Sequence, residues 1–317
     1  MTTTTDAGSR RRGAPEPTGH KPAKRGTDRA QAERRLGLKL AAPAAILMLA
    51  VTAFPILYAI WLSLQRYDLR NPDDKAFVGL SNYLLVLGDG TWWTAVGSTT
   101  LITVVSVFLE LVIGLAFALV MHRAIFGRRT VRTAILVPYG IITVISAFAF
   151  AFAVAPDTGF IGTFWPGDPD PLSSTAGSFG TIILTEVWKT TPFMSLLLLA
   201  GLATVPEELQ EAAKVDGATA WQRLWKITLP NMKGAIMVAL LFRALDAFRI
   251  FDTVYVQTAG ALKTQTISGL GYNALVSRVN LGLGSAISIL LFLMIIAIAF
   301  VFVKLFRTNL GTVKGED

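Results

Sequence analysis

The sequence predicts an all-α membrane protein with six transmembrane helices. Of its 317 residues, 53% are hydrophobic and only 16% are charged, and the mean hydropathy is +0.54. Several apolar runs are longer than about eighteen residues, the length at which a helix can cross a hydrocarbon layer of roughly 30 Å. Lysine and arginine are concentrated in alternate loops between these runs, as in proteins that cross a bilayer repeatedly.

The gaps between charged residues locate the six helices. The second helix contains one charge, Glu110, and the fifth contains a series of charges considered below. The fourth is free of charge over residues 190–206, but 17 residues at about 1.5 Å each would barely cross the bilayer, so we expect it to begin near Ile182. The predicted spans are 40–65, 96–121, 133–156, 182–206, 232–254 and 279–303.

The basic residues predict which segments face the cytoplasm. Twenty-one lysines and arginines lie in the two terminal segments and two of the loops, whereas the three remaining loops hold five. Basic residues are retained on the cytoplasmic side of a membrane, so both termini are predicted to be cytoplasmic. The basic segments are 1–39, 122–132, 204–233 and 304–317.

The ends of the chain differ in composition from the apolar region between them. Residues 1–35 have too few large apolar side chains to fold alone and are predicted to form a disordered basic cytoplasmic tail. Residues 1–39 contribute +6 of the net charge of +8, so the charge indicates contact with anionic lipid rather than a nucleic-acid surface. The membrane domain is predicted to cover residues 36–307, and residues 308–317 a short cytoplasmic tail.

The sequence lacks the residues of several catalytic and metal-binding sites. It has no cysteine, and His20 and His122 are far apart in the sequence, so no metal site is predicted. It has no G-x-x-x-x-G-K-[ST] phosphate-binding loop, so the chain is not predicted to hydrolyse ATP itself. No G-x-S-x-G or H-E-x-x-H string occurs either, and we expect neither catalytic residues nor an enzymatic activity.

A polar stretch within the basic loop 204–230 predicts a short cytoplasmic helix. Pro206 suits a first helical position, Glu207 and Glu208 complement the helix dipole, and Gly217 suits a left-handed end. The predicted helix covers residues 206–216. One narrow face combines small and apolar side chains, which would let another surface approach closely. This face consists of Leu209, Ala212, Ala213 and Asp216, flanked by Glu207, Glu211 and Lys214. A helix that only anchors the loop to the membrane boundary is the alternative.

The same stretch resembles a known motif. The string "EELQEAAKVDGATAWQRLWKITLP" is similar to the EAA loop of permease subunits of binding-protein-dependent ABC importers. The matching positions are Glu211, Ala212, Ala213, Asp216, Gly217, Ile227, Leu229 and Pro230. The strings "FVGLSNY", "LFRALDAFRIFDTVYVQTAG" and "GLGSAISILLF" resemble sugar permeases of the maltose and glycerol-phosphate type, and the likeness extends over residues 36–307. The family's usual Gly-Gly-Pro is replaced here by Ala259, Gly260 and Ala261.

The resemblance implies a fold, a site and partners. It implies a type I ABC importer permease fold in the bacterial cytoplasmic (inner) membrane, working with a second permease subunit, two ATPase subunits and an extracytoplasmic sugar-binding protein. The short helix would be the coupling helix that docks on an ATPase subunit. ATP and Mg would then be bound by the ATPase subunits, with no cofactor in this chain. The implied coupling residues are Glu207, Glu208, Leu209, Glu211, Ala212, Ala213, Asp216 and Gly217.

Charges within the fifth span are candidates for the substrate path. Arg243, Asp246, Arg249 and Asp252 follow at intervals of three with alternating sign. An unpaired charge in the middle of a bilayer costs about 3 kcal/mol on insertion scales, so these side chains need partners or a polar passage. They either line a passage or gate, or form neutralising pairs that hold the spans together. Glu110 is a candidate partner for Arg243 or Arg249.

Tryptophans are interpreted mainly as membrane-interface anchors. Trp92, Trp93 and Trp165 flank predicted spans, where amphipathic rings are favoured. Trp188, placed near the outer end of the fourth span, could stack on a sugar face, although an anchor is the favoured interpretation.

The resulting functional hypothesis is an ATP-driven importer subunit that carries a sugar into the cytoplasm. Within the family the chain is most similar to permeases of trehalose importers, which implies a disaccharide such as trehalose. No motif identifies that sugar, so maltose, glycerol phosphate and other oligosaccharides stay open. The competing class is a secondary transporter that uses Glu110 and the span-five charges as an ion relay. The absence of an evident internal repeat, together with the complete EAA loop, argues against it.

Overall fold

The computed structural model describes residues 25–123, 128–157, 159–160 and 170–311. These residues are predominantly helical, with one two-stranded antiparallel ribbon in which Gln65–Arg66 pairs with Ala76–Phe77. Two π-helical turns, Leu224–Thr228 and Asn273–Ser277, interrupt the helices. The helices are α1 (Arg25–Ser63), α2 (Ser81–Gly88), α3 (Gly90–Arg123), α4 (Arg128–Gly140), α5 (Thr143–Val154), α6 (Thr175–Leu202), α7 (Glu207–Val215), α8 (Ala220–Arg223), α9 (Leu229–Asn231), α10 (Lys233–Ala247), α11 (Asp252–Thr258), α12 (Ile267–Tyr272) and α13 (Leu281–Gly311).

The chain separates into two compact units, residues 1–56 and 57–317. The described part of the first unit belongs to α1, in which residues 40–56 are nearly all apolar and mostly exposed, as expected for a surface that faces hydrocarbon or another subunit. This helix begins at Arg25, so residues 25–35, which the composition assigns to a disordered tail, are helical here. Residues 1–24 of that tail lie outside the described part of the chain.

Four helices and two bent helix pairs correspond to the predicted spans. The helices Arg35–Ser63, Gly90–His122, Thr175–Leu202 and Leu281–Leu305 are each long and apolar enough to cross a membrane. The third predicted span is instead a pair, Arg129–Gly140 and Thr143–Val154, bent by 91°. The fifth predicted span, 232–254, includes Lys233–Ala247, which forms a pair bent by 71° with the preceding Ala220–Asn231. Counting each bent pair as one span gives up to six spans within the described residues.

Prolines and small residues account for the bends and the close packing. Pro138 lies in the last turn of α4, where it cannot donate a helical hydrogen bond, and the chain turns within the next residues. A side chain at Gly114 would touch Met194 of α6, and one at Gly201 would collide with Ala235 of α10. These glycines let α3, α6 and α10 approach closely around a core that includes Met194 and Met232.

A seam of buried polar side chains runs along α3 and α6. Its hydroxyl groups are buried, and many donate to the carbonyl four residues earlier in their own helix, as Thr99 does to Ala95 at 2.7 Å and Thr185 to Thr181 at 2.8 Å. These bonds satisfy polar groups that have no water to bind inside a bilayer. The seam comprises Ser98, Thr99, Thr103, Ser106 and Glu110 of α3 and Ser178, Thr181, Thr185, Thr190, Thr191 and Ser195 of α6.

Three sequence-based expectations need correction. The helix predicted over residues 232–254 ends at Ala247, and the chain re-enters a helix at Asp252. Trp92 is not an interface anchor, because its ring is buried in a core cluster with Val86, Phe248 and Ile287. The third span, predicted over residues 133–156, is not one straight helix but is broken between Gly140 and Thr143. Trp93 is 58% exposed, consistent with an anchor, and Trp165 lies outside the described residues.

The loop after α11 contains the residues that replace the family's Gly-Gly-Pro. Ala259, in place of the first glycine, has a φ of 48°, within the left-handed region that glycine adopts without steric cost. The loop thus adopts a left-handed conformation at a residue other than glycine, which suits it best. Hydrogen bonds hold it in place, including one from Ser98 to the carbonyl of Lys263 at 2.6 Å.

Candidate translocation cavity and coupling helix

A polar cavity of about 450 Å³ lies where two helices are broken. One break separates α4 from α5 and the other separates α10 from α11, and α6 provides a further wall. Irregular backbone inside a membrane protein is tolerated where it lines such a cavity. The lining residues are Tyr139, Thr143, Glu186, Lys189, Thr190, Asp246, Ala247, Arg249, Ile250, Phe251, Asp252 and Thr253.

Arg243 anchors the polar network beside this cavity. Its guanidinium is 1% exposed and makes a bidentate contact with Glu110 of α3, with Nε 2.5 Å from Oε2 and Nη2 2.8 Å from Oε1. The third nitrogen, Nη1, donates to Asp246 at 2.5 Å, and Nη2 also lies 3.1 Å from the hydroxyl of Thr190. Such bidentate charge-assisted bonds are strong and directional. The network therefore holds α10 against α3 and α6.

Glu186 is a second buried carboxylate of the same network. Its Oε1 accepts a hydrogen bond of 2.5 Å from Thr253 of α11, and its Oε2 lies 4.0 Å from Arg243. Arg243 is thus within reach of three carboxylates, and two of them, Glu110 and Asp246, accept its hydrogen bonds. A shift of α10 or α6 could exchange these partners without leaving the cation unpaired.

Lys189 supports the break between α4 and α5. Its ammonium donates to the carbonyl of Ile141, one of the residues between the two helices, at 2.9 Å. It also lies 5.7 Å from the ring centre of Tyr139, which stacks on Phe193 at 5.5 Å. The cation therefore satisfies a carbonyl that the helix break leaves without a helical donor.

The cavity wall is chemically suited to a ligand rich in hydroxyl groups. Asp246, Asp252 and Glu186 offer acceptors, while Arg249 and Lys189 offer donors. The guanidinium of Arg243 is already engaged by carboxylates, so it is not free to hold an anion. No group of three or more His, Cys, Asp and Glu side chains suited to a metal ion occurs in the part of the chain that the structure describes.

The structure brings together some of the predicted path residues and separates others. Arg243 and Arg249 were the two partners proposed for Glu110, and in the structure Glu110 pairs with Arg243. Neither Glu110 nor Arg243 lines the cavity. Asp246, Arg249 and Asp252 line the cavity, although only Asp246 shares α10 with Arg243. Asp246 pairs with Arg243, as the spacing of three allows.

Trp188 does not contribute to the cavity. It lies in the middle of α6, not at its end, and its ring packs against Phe150 of α5 with centres 5.4 Å apart. It is 38% exposed and absent from the cavity lining. Its role in stacking on a sugar stays a prediction, and its place in the middle of α6 does not match an anchor at a membrane interface.

Sequence reasoning missed Glu186, Lys189 and Tyr139 as cavity residues. A signal for the first two was available, because both fall within the span once it is taken to begin near Ile182, and charges inside a span need a polar environment. Tyr139 carried no such signal. It reaches the cavity because α4 ends one residue later, in the 91° bend.

Helix α7 lies where the sequence predicts a short helix. It covers Glu207–Val215, with Pro206 as its N-cap rather than its first helical residue. Gly217 has a φ of 77°, as predicted for a left-handed end, and the amide of Ala218 donates to Ala213 at 2.9 Å. No residue of the helix is buried, so its surface is accessible to a partner. The predicted coupling residues are exposed except for Ala213, which is half-buried: Glu207, Glu208, Leu209, Glu211, Ala212, Asp216 and Gly217.

Comparison with known proteins identifies the family. Residues 110–310 match the family described as "Binding-protein-dependent transport system inner membrane component". The trehalose transport system permease protein SugA of Mycobacterium tuberculosis (strain ATCC 25618 / H37Rv) is 57% identical over 275 residues, which are 87% of this chain and 90% of the relative. The trehalose/maltose transport system permease protein MalF of Thermococcus litoralis is 37% identical over 281 residues, 87% of this chain and 95% of the relative.

A solved structure shares the fold. In the crystal structure of a bacterial ABC transporter involved in the import of the acidic polysaccharide alginate, one chain matches with a TM-score of 0.74 and 21% identity. The match covers 90% of this chain and 99% of that chain. The chain is therefore a multi-pass membrane protein with the type I ABC importer permease fold, and it belongs to the family of inner-membrane components of binding-protein-dependent transport systems, the permease subunits of ABC importers.

Proposed function

We propose that this permease subunit carries a neutral sugar, with trehalose as the favoured substrate, into the cytoplasm at the expense of ATP hydrolysed on partner subunits. The observation that carries the proposal is the polar cavity whose lining includes Glu186, Asp246, Asp252 and Thr253. Its volume of about 450 Å³ falls within the range of roughly 300–1,000 Å³ that is usual for small-molecule sites. The names of the two relatives support trehalose as the sugar.

The cavity walls favour an uncharged, hydroxyl-rich substrate over an anionic one. Each sugar hydroxyl both donates and accepts, which matches a wall that mixes carboxylates with arginine and threonine side chains. An anionic sugar would be placed near the three carboxylates of Glu186, Asp246 and Asp252, against which the lining offers two cations, Lys189 and Arg249. The path residues proposed for substrate contact or gating are Asp246, Arg249 and Asp252, with Glu110 and Arg243 supporting them.

Partner subunits supply the energy and deliver the substrate. We propose that α7 is the coupling helix that docks on one of two ATPase subunits, which bind ATP and Mg, while this chain binds no cofactor. The exposed acidic first turn and the small residues of α7 support this role. A second permease subunit would complete the passage, and an extracytoplasmic binding protein would deliver the sugar. The excess of basic residues on the side of α7 supports cytoplasmic termini.

Reconstitution tests the proposal directly. Vesicles that contain this chain, its partner permease and ATPase subunits, and the binding protein should import radiolabelled trehalose when ATP is enclosed with the ATPase subunits. Maltose and glycerol phosphate, offered in parallel, should be imported less well. The matched control carries a phosphate-binding-loop lysine substitution in the ATPase and should import nothing.

The alternative class is tested in the same system. Vesicles that contain this chain alone, under an imposed proton gradient, should import no sugar. Gradient-driven uptake by the single chain would contradict the proposal and support a secondary transporter. ATP-dependent import of another sugar in preference to trehalose would retain the mechanism and replace the substrate.

A further inference from the structure

We propose that the hydrogen bond between Gln210 and Thr228 is the link through which the coupling helix α7 moves α10, and that Gln210 is therefore a positioning residue for energy coupling. The inference rests on the proposed function of α7 as the docking helix for the ATPase. The inference concerns how α7 transmits force to the rest of this chain, not how α7 binds the ATPase. Nε2 of Gln210 donates to Oγ1 of Thr228 at 2.9 Å.

Helix α7 is otherwise loosely attached to the rest of the structure. Cavities of about 300 Å³ and 160 Å³ lie beside it, and Leu119, Gln210 and Thr228 line both of them. Gln210 thus separates two spaces that packed side chains would otherwise fill. Among the residues described, this is the one side-chain hydrogen bond that α7 makes to another helical segment. None of the residues of α7 is buried.

The covalent connection is a poor alternative route for force. The chain leaves α7 through Gly217, whose φ of 77° favours a residue without a side chain, and continues through Ala218 to Thr219. Glycine imposes few limits on backbone rotation, so this turn can bend when α7 moves. The hydrogen bond between the half-buried Gln210 and the buried Thr228 holds the distance between its two atoms and does not bend in the same way.

Thr228 lies at a mechanically sensitive position. It is 7% exposed and is the last residue of the π-helical turn Leu224–Thr228, and such turns often mark functional sites. Its hydroxyl also lies 3.3 Å from the carbonyl of Arg223, and its own carbonyl accepts from the amide of Met232 at 3.0 Å. Displacement of Thr228 therefore acts on the segment that contains the 71° bend before α10.

Helix α10 connects this bend to the cavity. Met232, directly before α10, is fully buried in the core, and α10 continues without interruption from Lys233 to Ala247. Arg243 and Asp246 lie near its far end, about 16 Å and about 21 Å along the helix axis from Met232. A rigid helix of this length transmits a rotation at one end to its other end. A pull on Thr228 would thus change the position of the Arg243 network relative to Glu110 and Glu186.

The test compares sugar transport with ATP consumption in the complete complex. Wild-type complex and variants are reconstituted in vesicles with the binding protein, and trehalose import and phosphate release are measured together. Gln210→Ala and Thr228→Val should assemble normally with the ATPase subunits and should lower sugar imported per ATP by about fivefold or more, the scale expected for losing a buried hydrogen bond. The double variant should lower sugar imported per ATP no further than either single variant, because all three variants lose the same hydrogen bond.

Two further variants provide controls. Thr228→Ser keeps the hydroxyl and should restore most of the coupling. Gln222→Ala removes an exposed glutamine whose hydrogen bonds stay within the start of α8, and it should leave sugar imported per ATP unchanged. If Gln210→Ala and Thr228→Val both left sugar imported per ATP unchanged, the proposal would be overturned. Loss of assembly with the ATPase subunits in those variants would also overturn it, because the bond would then serve docking. Failure of the wild-type complex to import with ATP would instead count against the proposed function.

Discussion

The buried pair of Arg243 and Glu110 makes a quantitative prediction about stability. Glu110 is fully buried and accepts two hydrogen bonds from Arg243, which is 1% exposed. Substituting Arg243 by methionine removes the cation and leaves the Glu110 carboxylate without its charged partner in an apolar bundle. Breaking a buried ion pair in this way costs about 3–5 kcal/mol, so we expect Arg243→Met to be severely destabilised.

The double variant Glu110→Gln, Arg243→Met should recover much of that loss. The introduced glutamine carries no charge and can still form a hydrogen bond with Thr190, whose hydroxyl lies 2.7 Å from Oε1 of the native glutamate. Asp246 also loses its partner, but its side chain is 63% exposed and can be hydrated in the cavity. We therefore expect the two substitutions to be non-additive by about 2–3 kcal/mol.

The assay is the apparent thermal denaturation midpoint of the detergent-solubilised protein, measured by size-exclusion chromatography after heating. At roughly 2–4 °C per kcal/mol, Arg243→Met should lower the midpoint by about 6–20 °C, and the double variant should be clearly more stable than Arg243→Met. If the costs of the two single variants simply added in the double variant, the pair would contribute no coupling energy and the reasoning from burial and pairing would be refuted.

Three further predictions follow from the site and the loops. Ala213→Trp and Gly217→Pro should abolish uptake at normal membrane abundance, because an indole would block close docking and proline cannot adopt the φ of 77° at Gly217. Val215→Trp, on another side of α7, is the control. Normal uptake by Ala213→Trp would refute the docking face. Asp246→Asn combined with Arg249→Gln should reduce uptake while abundance and ATPase docking persist, and near-normal uptake would show that these charges only support the structure. Ala259→Gly should raise stability by up to about 1 kcal/mol, because glycine relieves the left-handed strain at a φ of 48°, and a lowered denaturation midpoint would contradict this.

The sequence by itself determined the class of the protein and the position of its spans. Long apolar runs, the distribution of lysine and arginine, and the EAA loop each depend on local composition or spacing, which survive without knowledge of the tertiary structure. The short helix α7 was predictable for the same reason, since Glu207, Glu208 and Gly217 act on a helix through its own ends. Family membership followed from these local signals and is confirmed by the comparisons.

The tertiary structure decided which charges meet and where the cavity lies. The interval of three suggested one continuous row from Arg243 to Asp252, but α10 ends at Ala247 because the chain breaks there to line the cavity. The partner of Arg243 is 133 residues distant in the sequence, and no periodicity within one helix can specify a contact across the packed bundle. Tyr139, Glu186 and Thr253 likewise lie around one cavity only because the breaks after α4 and α10 pack against α6. The cavity is therefore a property of packing that local sequence signals do not encode.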